Sequence, residues 1–181
     1  NLNLKGPVAG VVLESSRVVA RKIDFDPVLL DFSVLGLEAD VKGQYTPKGA
    51  SKADDFELKA RLSKLLASRD EASGNALDVQ MRVSGSQNLE AGVQLDGLAG
   101  RAQALTASKL ALSLGTTLQD AQGHPRHVNM QFSGPARASL EARTLTLPSF
   151  SGEVRVNDTR LPDNGFKMPI ELNAKLDLKQ E

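Results

Sequence analysis

"ALDVQMRVSG", residues 76–85, is the stretch whose rhythm decides the fold. Leu77, Val79, Met81 and Val83 occupy every second position, and Asp78, Gln80 and Arg82 stand between them. In an extended chain successive side chains point to opposite sides, so this spacing gathers the apolar groups on one face and the polar groups on the other. It predicts a strand that is wet on one side only.

The same rhythm runs outward in both directions. "KLALSLG" (109–115) supplies Leu110, Leu112 and Leu114, and "NMQFSGPAR" (129–137) supplies Met130 and Phe132. "TLTLPSF" (144–150) gives Leu145 and Leu147, and "GEVRVND" (152–158) gives Val154 and Val156. "IELNAKLDL" (170–178) sets Ile170, Leu172, Ala174, Leu176 and Leu178 against Glu171, Asn173, Lys175 and Asp177. Near the start, "VARKIDF" (19–25) puts Val19, Ile23 and Phe25 in phase. Between the runs lie "KGP" (5–7), "SGSQN" (84–88), "QDAQGHP" (119–125), "SGP" (133–135) and "LPDNG" (161–165), rich in the residues that tight reversals use. Short strands joined by short turns predict an antiparallel meander of roughly ten to twelve strands.

Two stretches read differently. "ADDFELKARLSKLLASRDE" (53–71) fits an amphipathic helix capped by Asp54 or Asp55, with Phe56, Leu62, Leu65 and Leu66 on one face. It fits a strand equally well, because Phe56, Leu58, Ala60 and Leu62 alternate with Glu57, Lys59 and Arg61. "DPVLLDFSVLG" (26–36) admits a short helix with Pro27 in its first turn. "YTPKGASKADD" (45–55) reads as a polar loop.

The chain also echoes itself. "NLNLKGPVA" (1–9) and "NMQFSGPAR" (129–137) share Asn, Gly and Pro at the same places, with apolar residues at matching positions. Looser copies are "VQMRVSGSQNLEA" (79–91) and "LGLEADVKGQY" (35–45), and "TASKLALSLG" (106–115) resembles "LEARTLTLPSF" (140–150). The echo implies an internal repeat between 1–45 and 129–181, and a sheet that grows by adding like hairpins.

These residues carry a resemblance. "GPARASLEARTLTLPSFSGEVRV" (134–156) and "LLDFSVLGLEADVKGQY" (29–45) resemble the β-rich periplasmic region of the AsmA family, in which x-Leu-x-Leu-x-Gly strands alternate with small-x-Leu-x-x-x-x-Leu-x-Leu strands. The resemblance is one of style and covers most of the chain. It implies an elongated, curved sheet, half-open or taco-like. It also implies a periplasmic location in a parent protein anchored in the inner membrane, and a part in outer-membrane biogenesis by moving phospholipid along an apolar groove. Other envelope proteins are the implied partners. The chain starts on "NLNL", within a strand pattern, and so reads as one section of a longer protein.

Composition bounds the alternatives. The 181 residues suffice for a single β-rich domain, 1–181. Aromatics make up 4% of the chain and Lys plus Arg balance Asp plus Glu at 22 each, so neither base stacking nor phosphate neutralisation is favoured, and no nucleic-acid partner is expected. No cysteine is present, which removes disulfides, thiol catalysis and thiolate metal sites. His124 and His127 in "GHPRH" are the only histidines; they flank a Pro and an Arg in an expected loop, and no metal is expected there. Asp54–Asp55 and Asp70–Glu71 lie in polar stretches rather than the pocket that acid–base work requires. Nucleophile-elbow, phosphate-loop and His-Glu-x-x-His patterns are missing, and no cofactor is expected. "NDT" (157–159) matches a glycosylation acceptor.

The expectation is therefore a mostly β, elongated antiparallel sheet of repeated hairpins with one or two short helices, non-enzymatic. Its apolar face would line a path for phospholipid or another acyl-chain lipid. The candidate lining residues are Leu77, Val79, Met81, Val83, Leu110, Leu112, Leu114, Met130, Phe132, Leu145 and Leu147. Exposing ~15 methylenes to water costs roughly 12 kcal/mol, which an apolar track offsets without any reactive group. Two rivals stand beside it. One is a structural or adhesive β-sandwich with no lipid ligand. The other is a hydrolase, which would need a deep polar pocket holding His124 or His127.

Overall fold

The computed structural model describes residues 7–8, 11–46, 51–85, 88–101, 103–119 and 122–177. The strands are β1 (Pro7–Val8), β2 (Val11–Asp26), β3 (Asp31–Tyr45), β4 (Asp54–Ala67) and β5 (Ala72–Ser84). They continue as β6 (Asn88–Arg101), β7 (Ala104–Gln119), β8 (Pro125–Ser139), β9 (Thr144–Asn157) and β10 (Gly165–Asp177). They form one sheet in chain order, each strand antiparallel to the one before it. The sheet is open: β1 and β10 lie at its opposite edges, and among the described residues no second layer covers it.

Nine of the strands run 13 to 16 residues, against a usual five or six. The accessible surface is 12674 Å², where a folded monomer of 19.3 kDa exposes roughly 8,500 Å². That excess is the area of a sheet with both faces bare.

The stretch with two readings is a strand. Phe56, Leu58, Ala60 and Leu62 of β4 stand opposite Val83, Met81, Val79 and Leu77 of β5, while β3 pairs along the other side. A helix here would strip backbone partners from two neighbours at once, a cost that tertiary pairing avoids. The second helix expectation also gives way. Residues 27–30 form a turn in which Asp26 Oδ1 accepts from the N–H groups of Val28 (2.8 Å) and Leu29 (3.1 Å), and Leu30 closes it in the left-handed region. The helical content of the described residues is a single 3-10 turn, Pro162–Asn164, in place of the one or two short helices expected.

Two further expectations are corrected. "SGP" (133–135) is no turn but the interior of β8, at a register shift between Ser133 and Arg137. Pro135 there has no N–H to give, and a bulge is where a sheet tolerates it. "KGP" (5–7), the other half of the echo, lies mostly outside the described residues; Pro7 and Val8 pair with Val12 and Val11.

The second correction concerns phase. Val19 faces the same side as Glu38, opposite to Val18 and Ala20, so it does not share a face with Ile23 and Phe25. The alternation slips by one residue along a line crossing the sheet. Arg21, Gly36, Ser63, Ala76, Gly97 and Ser108 drop out of the ladders, and Gly36, Ala76 and Gly97 have φ of 61°, 46° and 61°. A left-handed residue in a strand turns the next side chain back to the face just used. A Cβ on Gly74 would touch Leu65 and Leu98, which locates all three beyond the line on the apolar side. In β9 a bulge between Leu147 and Phe150 does the same work.

Candidate functional site: the apolar face

The registers place residues in rows perpendicular to the strands. One row reads Val18, Ala39, Ala60, Val79, Val93, Leu112, Phe132, Gly152 and Ile170 from β2 to β10. The next reads Val41, Leu58, Met81, Ala91, Leu114, Met130, Val154 and Met168. Leu37, Leu62, Leu77, Leu95 and Leu110 make a third, and Phe56, Val83, Leu89, Val128, Val156 and Phe166 fall in a fourth. Beyond the phase line the same face carries Val34, Leu65, Leu98, Ala107, Ala136 and Leu147.

All eleven candidate residues share this face. Leu77, Val79, Met81 and Val83 meet Leu110, Leu112 and Leu114 through β6, and Met130 and Phe132 follow on β8. Leu145 and Leu147 join at the far end, against a small cluster of Ala107, Ala136 and Phe150. The Phe132 and Phe150 rings stack there, with centroids 6.3 Å apart. Gly152 makes room: a Cβ on it would collide with the carbonyl oxygen of Gln131.

The candidate set left out β3, β4 and β6, which complete the face, and also Phe150. The strands' signal was present as alternation, broken into short pieces by the slip at Gly36 and Gly97, while the bulge between Leu147 and Phe150 concealed Phe150.

Cover is thin. Val34, Ala107, Ala136, Leu147 and Phe150 are the buried apolar side chains among the described residues. Leu112 and Met81 keep 36% of their surface, Val93 40% and Met168 47%. These side chains are shielded by their neighbours in the rows, and no other described segment lies above them.

The opposite face is polar and charge-paired. Lys42, Glu57, Arg82 and Glu90 stand in one row of alternating sign, with Lys42–Glu57 at 3.1 Å and Arg82–Glu90 at 2.9 Å. Lys59 adds a second contact to Glu57 at 3.2 Å, and Lys42 and Lys59 together hold the Glu57 carboxyl below its ordinary value. A hollow of about 960 Å³ opens on this side; Gln80, Gln94, Ser113, Gln131, Ser133 and Ser151 are among the residues that line it. A smaller one of about 490 Å³ also opens there, by Asp24, Asp31, Ser33 and Ser73. Met81, Leu112, Leu114, Met130 and Phe132 of the apolar face also border the larger of these two, between its polar residues.

The titratable residues singled out in the sequence do not converge. His127 lies on β8 with Nδ1 3.0 Å from Thr117 Oγ1, while His124 lies in the preceding turn. Asp54 is buried, whereas Asp55 is exposed and accepts from Gln44 Nε2 at 3.2 Å. Among the described residues no cluster of three His, Asp or Glu side chains could hold a metal ion. No described helix is long and apolar enough to cross a membrane.

One polar centre was missed. Asp158, buried at the start of the β9–β10 turn, accepts from Arg160 through Oδ1 (backbone N and Nε, both 3.0 Å) and Oδ2 (Nη2, 2.8 Å), and Arg126 Nε reaches Oδ2 at 2.8 Å. Its backbone N–H donates to Asn164 and its carbonyl accepts from Leu161. Arg160 first, then Arg126, holds its carboxyl far below the usual aspartate range. "NDT" was legible only as a glycosylation signal; that Asp precedes Arg by two residues is the faint mark of a clamp.

Against known proteins the chain shows no significant match to a family model, a curated protein or a solved structure. What defines it is its architecture: an open antiparallel meander with one apolar and one charge-paired face.

Proposed function

We propose that this chain is a non-enzymatic section of an AsmA-like cell-envelope protein, working in the periplasm from a parent anchored in the inner membrane. Its apolar face is a track along which phospholipid acyl chains cross water. One observation carries the reading: rows of Leu, Val, Met and Phe continue over nine strands, and among the described residues no second layer lies above them. Strands spaced ~4.8 Å apart make that track roughly 45 Å wide across the strands. Patches of this extent are not left bare without a partner. Acyl chains need area and no hydrogen bonds, which is what the face offers.

The rival sandwich requires a second sheet over the same rows, and all ten strands belong to one sheet. The hydrolase requires a polar pocket holding a histidine, and neither hollow is lined by His124 or His127.

The test is photo-crosslinking on delipidated protein. A photoreactive residue replaces Val79 or Leu112 on the apolar face, or Gln80 or Ser113 on the other. Fluorescent fatty acid should bind saturably, and a phospholipid should be captured from positions 79 and 112 alone. Non-saturable binding, or equal capture from both faces, would overturn the reading.

A further inference from the structure

The turn between β2 and β3 carries Pro27, Val28, Leu29 and Leu30, and the last three keep 87, 63 and 51% of their surface. Val28 is the barest large apolar side chain among the described residues. Reversals are ordinarily built from Gly, Pro, Asn, Asp and Ser. Leu30 moreover stands at φ 56°, which Gly or Asn takes with little strain and a bulky side chain does not. The geometry of the turn does not ask for leucine there. The tip lies past the paired ends Asp26 and Asp31, so strands set beside the sheet at either edge would not cover it. None of Val28, Leu29 and Leu30 borders either hollow.

We propose that this tip seats in the surface of a lipid bilayer. Asp26 Oδ1 already accepts from the N–H groups of Val28 and Leu29, so these backbone donors are satisfied before the tip leaves water. Directly behind it Phe25 and Phe32 stand opposite each other on the apolar side, and the apolar surface runs from tip to sheet without a break. Asp26 and Asp31 bracket the tip and limit its depth, since carboxylates stay among the headgroups. A second apolar tip lies on the same rim: Leu140, in the turn between β8 and β9, is 63% exposed, and Ala142 N–H there donates to Ser139 Oγ at 3.0 Å. At the other end of the strands the described turn residues 122–124 and 158–164 are polar or Gly, apart from Leu161 and Pro162. A bare convex tip gives a protein partner little to recognise, whereas acyl chains ask only for apolar area. No Lys or Arg falls between Lys22 and Lys42, so the attachment is apolar and zwitterionic lipid suffices. The contact rests on the turn, independently of what the apolar face carries.

The chain has no tryptophan, so Leu29→Trp supplies its sole indole. On phosphatidylcholine vesicles the emission should move to the blue, and phosphatidylcholine brominated along its acyl chains should quench it. Leu161→Trp, at the opposite end of the strands, should show neither effect. In vesicle flotation Leu29→Asp should weaken binding about tenfold. Leu30→Asn guards against a mere folding defect: it relieves the left-handed leucine, so it should melt no lower than the parent and still lose vesicle affinity. Leu112→Asp should float as the parent does. An indole left in water, or vesicle binding that survives both tip substitutions, would overturn the inference and leave the tip to an apolar pocket on a protein. Binding that requires anionic lipid would overturn it as well, because charge elsewhere would then hold the chain. Photo-capture at positions 79 and 112 is read without vesicles, so the tip and the track fail separately.

Discussion

Asp158 shows how much one side chain can hold in a sheet with almost no core. Four contacts from Arg160 and Arg126 converge on its carboxylate, tying the β9–β10 turn to the start of β8. Because the folded protein lowers this pKa, the unfolded chain binds the proton more readily. The clamp therefore stabilises the fold fully above the unfolded value of roughly 4 and loses its contribution as the pH falls below that. Asp158→Asn should melt at a lower temperature than the parent at pH 7. The gap should narrow on acidification toward pH 2, read from melting curves across the range; a constant gap would mean that the charge is not what matters. Ala76 presents the opposite case. Its φ of 46° is strained for any residue with a Cβ, and the two glycines in the same line show what the position prefers. Ala76→Gly should raise stability by about 1 kcal/mol, or roughly 2–4 °C in Tm. Gly97→Ala, which would drive a Cβ into Ser108 Oγ, should lower it by at least as much.

Four strands show what was legible and what was not. In β5 the alternation of Leu77, Val79, Met81 and Val83 is unbroken, so strand, face and partners follow from spacing alone. In β4 the same letters also suited a helix, and what decides is two neighbours needing hydrogen bonds, which no local window contains. In β2 strict alternation from Val19 misassigned that residue, because the slip at Arg21 is enforced by Gly36 across the ladder, fifteen residues on. β9 carries the most deeply buried side chain among the described residues. Phe150, 2% exposed, stacks on Phe132 and packs with Ala107, Ala136 and Leu147. Phe150→Ala should cost about 3 kcal/mol in chemical denaturation, near the low end for a buried ring because one side of the sheet is open. Alternation does not reveal this, since the ring is in phase with Gly152 and the bulge at Pro148 hides its relation to Leu147.

Taken whole, the molecule is stabilised by backbone ladders and side-by-side rows, with its apolar surface left available. That arrangement separates two roles that a closed core would merge. Leu112 stands in mid-row with 36% of its surface bare, whereas Leu145 leans on the buried cluster at the end of the sheet. Leu112→Asp should thus leave the unliganded protein within about 1 kcal/mol of the parent, since the charge stays in water. Leu145→Asp should cost several times more by leaving a carboxylate among apolar neighbours. Adding a short-chain phospholipid below its micelle concentration should then divide the variants. At a hundredfold excess over Kd a ligand that binds only the folded state adds about 2.7 kcal/mol, or roughly 6–10 °C in Tm. The parent should gain that shift and Leu112→Asp should lose most of it while keeping its own melting point. Were Leu112→Asp instead to unfold the protein without lipid, the face would be a core closed by something in solution; were both chains to gain equally, the lipid would be acting elsewhere.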